Sequence, residues 1–127
     1  MTPVFLDLDQ VLRLHRSLIE HYGGTEGVRD LGLLDSAIAT PQAGFGGQYL
    51  HHDLFEMAAA YLFHIVGNHP LLDGNKRTGA ASAIVFLAIN GVTIENDEAG
   101  LVDLTLRVAT GRATKAQAAE FLRTRAR

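Results

Sequence analysis

Apolar residues recur every three to four positions along almost the whole chain, the spacing of helices that bury one face. In "DLDQVLRLHRSLIEHYGG", Val11, Leu14, Leu18 and Tyr22 keep this spacing. Asp7 and Gln10 make a capping box at its start, and Gly23-Gly24 ends it. Asp30 can cap a second helix that Pro41 stops, and Asp53 with Glu56 makes a capping box for a third. In that third helix Leu54, Ala58, Leu62 and Ile65 share a face that Phe55, Ala59 and Val66 widen. A fourth runs from about Asn75 to Ile89 and ends at Asn90-Gly91. From Ala80 onward it is apolar almost all round, so it is expected to be the buried centre. Asp97 and Thr114, the latter with Gln117, open two more. Between Pro41 and His52 the pattern breaks into "PQAGFGGQYLHH", a loop or short extended flap. The expectation is an all-α fold: one compact domain over residues 1–127, about six helices, a short flap and a central buried helix.

Composition changes little in this picture. At 127 residues the chain is long enough for one hydrophobic core, and 47% hydrophobic with 20% charged residues is ordinary for a globular domain. A net charge of −3 gives no reason to expect direct nucleic-acid binding. Arg123, Arg125 and Arg127 read as a solvated helix end. There are no cysteines, no apolar run approaches the roughly 20 residues of a membrane span, and residues 1–10 do not resemble a signal peptide. A cytoplasmic protein without a membrane partner is expected.

The candidate chemistry lies where the fourth helix starts. His69, Asp73, Gly74, Asn75, Lys76 and Arg77 fall within nine residues. The first N–H groups of a helix have no intrahelical acceptor and, with the helix dipole, attract anions, phosphate above all. Gly74 lets a ligand approach the backbone and Asn75 can donate from its amide. Lys76 and Arg77 offer charge to phosphate oxygens. Asp73 suits a divalent cation bridging to phosphates, and His69 suits proton transfer near neutral pH. Singly, each residue has an ordinary structural reading. Together they do not, because two cations at a helix start oppose its dipole. The chain has only two lysines, Lys76 and Lys115. The spacing is not that of a P-loop, since Asn75 separates Gly74 from Lys76 and a helix precedes the loop. Thr78 and Gly79 read as small packing residues. His51 and His52 read as surface residues, and His15, His21 and His64 as packing or surface residues on helices.

"HPLLDGNKRTG", residues 69–79, resembles the signature of the Fic/Doc superfamily in its Doc (death-on-curing) branch. Leu71 stands where Fic proteins carry Phe, Lys76 replaces the second Gly, and Ala80 replaces the final Arg. The last two departures are those of the Doc branch. "LHRSLIEHYGGTEGVRDLGLLDSAI", "DLFEMAAAYLF", "FLAINGV" and "DLTLRVATG" extend the resemblance over nearly the whole chain. It implies a Fic fold and the toxin of a type II toxin–antitoxin system. It further implies a kinase that moves the γ-phosphate of ATP to a Ser/Thr hydroxyl of an elongation factor Tu-like protein, arresting translation. Fic-type AMP transfer, or a catalytically silent antitoxin-binding module, is the alternative. By the same resemblance His69 is the general base and Asp73 the Mg²⁺ ligand. Gly74 and Asn75 form the anion hole, while Lys76 and Arg77 hold ATP phosphates, Arg77 also stabilising the transition state. The flap at 41–52 sits where the family docks its target. No Ser/Thr-x-x-x-Glu-Gly/Asn inhibitory pattern is present, so restraint is expected from a separate Phd-like antitoxin.

Overall fold

The computed structural model describes residues 2–127 and is built from six helices. These are α1 (Leu8–Tyr22), α2 (Leu31–Ala39), α3 (Leu54–Asn68), α4 (Asn75–Ile89), α5 (Glu98–Ala109) and α6 (Lys115–Thr124). A single 3₁₀ turn at Thr40–Gln42, with Pro41 inside it, leads from α2 into a short hairpin. Its strands β1 (Gly44–Phe45) and β2 (Gln48–Tyr49) pair Gly44 with Tyr49 and Phe45 with Gln48. The expected flap is thus an extended hairpin, and its Phe45 is 88% exposed. Among the described residues no helix is long and apolar enough to cross a membrane.

The local start signals hold. Asp7 and Thr114 close full capping boxes with Gln10 and Gln117. Asp30, Asp53 and Asp97 each accept a bond from an N–H in the first turn of their helix. The third helix differs in one detail: the Glu56 carboxylate accepts from the N–H of His52, one residue before the cap, so the box with Asp53 is only half formed.

The centre of the bundle is α3, not α4. Nine residues of α3 are buried, including Met57, Tyr61 and Ile65, because α2, α4, α5 and α6 all pack on it. On α4 the buried face is Asn75, Thr78, Gly79, Ser82, Ala83, Phe86 and Leu87. Ala80, Ala81, Ile84 and Val85 lie half-buried, and Ala88 and Ile89 are exposed. Apolarity all round a helix says only that it can be buried; which sides are covered depends on neighbours distant in sequence. Where α3 and α4 cross, a Cβ on Gly79 would lie 2.8 Å from a Val66 methyl, so only Gly allows this approach. On α1 the deepest positions are Val11 and His15, while Leu18 and Tyr22 border an open cavity.

The terminal arginines are not simply solvated. Arg123 pairs with Asp53 and Glu120, and Arg125 pairs with Asp97 at 2.7 Å while its guanidinium lies 3.8 Å from the Phe121 ring centre. Asp53 and Asp97 are themselves helix caps, so α6 ties down the starts of α3 and α5. Water and salt screen pairs so near the surface, so they hold the ends in place more than they stabilise the fold.

His51 departs furthest from expectation. It is 8% exposed rather than a surface residue, and its Nε2 lies 3.1 Å from the Lys115 ammonium, which also reaches Nε2 of His64 at 2.9 Å. The adjacent His52 is exposed, as expected. Burial first, then the Lys115 charge and His51, push His64 from an ordinary 6.5 to about 4. Burial and Lys115 lower His51 in the same direction. Between these limits the folded chain binds fewer protons than the unfolded one. The stability that neutral His64 contributes is therefore fully present above pH 6.5 and lost as pH falls towards about 4. Melting temperature, measured in chelator-treated buffer, is expected to fall over this interval more steeply for the wild type than for His64→Gln. Equal slopes would remove His64 as the cause.

Candidate active site

The loop joining α3 to α4 is stitched to the segment between α1 and α2. Arg29 donates from Nε to the carbonyl of His69 at 2.7 Å and from Nη2 to that of Asn68 at 3.1 Å. The N–H groups of Arg29 and Asp30 both bond the Pro70 carbonyl, and the Leu72 N–H bonds the Gly27 carbonyl. Leu71 is fully buried and serves as the apolar anchor of the loop. Under these constraints His69 ends α3 in the left-handed region at φ 52°, the one non-glycine residue with positive φ among those described. Such a conformation is uncommon for a side-chain-bearing residue and persists where its surroundings over-determine it.

Asn75 organises this turn. Its Oδ1 accepts the Leu71 N–H at 2.9 Å, and its Nδ2 donates to the Leu71 carbonyl at 3.0 Å. The other Nδ2 hydrogen faces His69 Nδ1 at 3.2 Å. The two bonds to Leu71 fix the amide orientation, so Nδ1 of His69 is the acceptor nitrogen. Asn75 is only 3% exposed. Its side chain therefore contacts His69 and Leu71, and only its main-chain N–H is left to face a ligand.

Gly74 caps α4 from the left-handed region, with φ 75° and no side-chain bond to the helix. The five other helices each have a side-chain cap. The Thr78 N–H is bonded to the Gly74 carbonyl, so the N–H groups of Asn75, Lys76 and Arg77 precede the first intrahelical acceptor. Asp73 is exposed, with Oδ2 accepting from the Thr25 N–H at 3.1 Å and Oδ1 from the Gly74 N–H at 2.8 Å. Both oxygens keep lone pairs for a cation. Lys76 and Arg77 are exposed and have no carboxylate within 4.0 Å among the described residues. The Arg77 guanidinium instead lies 4.3 Å from the ring centre of Tyr22.

All six residues singled out by sequence line one cavity of about 690 Å³. One end is this polar cradle, and Ala80, Ala81, Leu101, Val102 and Leu106 make the other end apolar. The supports of this site lie outside the stretch singled out by sequence. Arg29 and Gly27 hold the loop from the α1–α2 connection, Tyr22 holds Arg77, and His15 lies beneath Gly74. The His15 ring is 1% exposed, its Nδ1 lies 3.1 Å from Thr78 Oγ1, and its Cε1 would be 3.6 Å from a Cβ on Gly74. Thr78 is thus a contact as well as a small packing residue. Burial lowers the His15 pKa, against the opposing influence of Glu26 and Asp73. The only sequence signal for these supports was their place on α1 and just after it; their contacts cross 39 to 63 residues of chain.

Two comparisons bear on this geometry. Residues 5–87 match a family model described as the Fic/DOC family. "Toxin Doc" of Mycolicibacterium smegmatis is 50% identical over 76 residues, 60% of this chain and 58% of that protein. "Protein kinase doc" of Escherichia phage P1 is 37% identical over 115 residues, 91% of this chain and 90% of that protein.

Proposed function

Because the chain belongs to the Fic/DOC family, we propose that it is the toxin of a toxin–antitoxin pair and a kinase. It moves the γ-phosphate of ATP to a Ser/Thr hydroxyl of an elongation factor Tu-like protein and so arrests translation. The observation that carries the reading is the uncapped start of α4, with Lys76 and Arg77 beside it and His69 at its edge. The names of the two relatives support a toxin and a kinase.

In this reading the phosphates lie against the free N–H groups of Asn75, Lys76 and Arg77. The Lys76 and Arg77 side chains neutralise the charge that builds up on the transferring group. His69 takes the proton of the attacking hydroxyl at Nδ1, where the hydroxyl replaces the long Asn75 contact. A bond forms between that oxygen and the γ-phosphorus, the bond from the γ-phosphorus to the bridging oxygen breaks, and ADP leaves. Asp73 would hold Mg²⁺, which supplies charge neutralisation when bound. A lone carboxylate fits an ion ligated mostly by phosphates and water. Among the described residues no three His, Asp or Glu side chains gather as metal ligands.

Lys76 supports phosphate transfer over AMP transfer, since it fills space a Gly would leave for nucleotide phosphates. Ala80 lacks the phosphate contact an Arg would make. The exposed hairpin offers the target a strand edge, and a Phd-like antitoxin restrains the protein. Incubation with cell extract and ATP labelled at either phosphate separates the outcomes. Label from the γ-phosphate alone, on a protein of elongation factor Tu size, is expected. Label from the α-phosphate would replace the kinase by an adenylyltransferase, and no label with no growth arrest on expression would favour a silent module.

A further inference from the structure

A second group of side chains lies outside the cavity. His51 follows the hairpin, His64 stands on α3 and Lys115 opens α6. The Lys115 Nζ lies 3.1 Å from His51 Nε2 and 2.9 Å from His64 Nε2. No carboxylate lies within 4.0 Å of the Lys115 amine among the described residues. Two imidazole lone pairs therefore converge on one amine, an arrangement that the mechanism above does not use.

We propose that His51, His64 and Lys115 form a three-nitrogen site for a divalent transition metal ion such as Zn²⁺, Ni²⁺ or Cu²⁺. Zinc–nitrogen bonds are about 2.0–2.1 Å, so ligand nitrogens around a tetrahedral ion stand about 3.3–3.4 Å apart. The two separations fall short of that edge by only a few tenths of an ångström. The ion takes the place of the ammonium between the two imidazoles, and the Lys115 stem shifts to make room for it. The donor set selects the metal class: nitrogen donors without carboxylate suit Zn²⁺, Ni²⁺ and Cu²⁺, not Mg²⁺ or Ca²⁺. Burial favours the uncharged ligand forms, since it lowers the pKa of both imidazoles and of the amine. On binding, the ammonium gives one proton to solvent and its nitrogen lone pair to the ion. The ion then ties the foot of the hairpin to α3 and α6.

Titration calorimetry of tag-free, chelator-treated protein with NiCl₂ and ZnCl₂ at neutral pH tests this. The wild type is expected to bind one ion. His51→Asn, His64→Gln and Lys115→Met are each expected to weaken binding at least about tenfold. Circular dichroism checks that each variant is folded. Cobalt substitution gives a measurement on the wild type alone: intense visible absorption marks a four-coordinate ion. His69→Ala is expected to bind metal like the wild type, which separates this site from the cradle whatever that cradle does. Unchanged affinity in any one of the three ligand variants, or no saturable binding and a colourless cobalt form, overturns the proposal.

Discussion

His69→Ala is expected to abolish labelling of the target, lowering transfer by about 10²–10⁴-fold, the usual contribution of a general base. The fold should survive. His69 is exposed, and its main-chain carbonyl, which Arg29 holds, remains in the variant. Replacing a left-handed His by Ala adds only modest strain, so melting temperature should shift little. Expression in cells gives the second reading: growth arrest by the wild type and none by His69→Ala. Transfer that persists in a folded His69→Ala variant would remove this imidazole as the base and leave the cradle alone to explain the rate.

Asn75→Ala is expected to damage stability and chemistry together. The buried amide satisfies both main-chain groups of Leu71. Without it, a buried N–H and a buried carbonyl lose their partners, at about 1–3 kcal/mol for each such group. A loss of about 2–6 kcal/mol is a large share of a stability that is ordinarily about 5–15 kcal/mol. Denaturant unfolding should show the midpoint falling with little change in slope. Transfer should fall as well, since the turn that carries His69 loses the two bonds to Leu71 that set it. Wild-type stability in Asn75→Ala would mean that water replaces the amide, and its organising role would be withdrawn.

These two residues show what a sequence displays and what it hides. The start of α4 was legible because the same short stretch supplies glycine, cations, carboxylate and imidazole. The helix bounds were legible because each cap acts within three residues of itself. The role of the Asn75 side chain was not legible: a bare amide at a helix start suggests a donor to ligand, and only the position of Leu71 shows it already engaged. His15, Tyr22 and Arg29 stayed hidden because they act through tertiary contacts. The exchange of α3 for α4 at the centre has the same origin, since α4 keeps one side free to line the cavity. The burial of His51 was not legible because its partner Lys115 stands 64 residues away.

The bare start of α4 also sets stability against purpose at one point of the chain. A side-chain cap is worth about 1 kcal/mol to a helix, and an acidic residue in the first turn adds about 0.3–1 kcal/mol where a cation detracts. Five helices take the first benefit and α4 takes neither. Selection for thermal robustness alone would therefore drift towards acids at positions 76 and 77, filling the cradle with the protein's own negative charge. Lineages released from the need to bind phosphate would be expected to keep the bundle and lose this corner first. An acidic first turn in an otherwise intact relative would mark a fold that has outlived its chemistry.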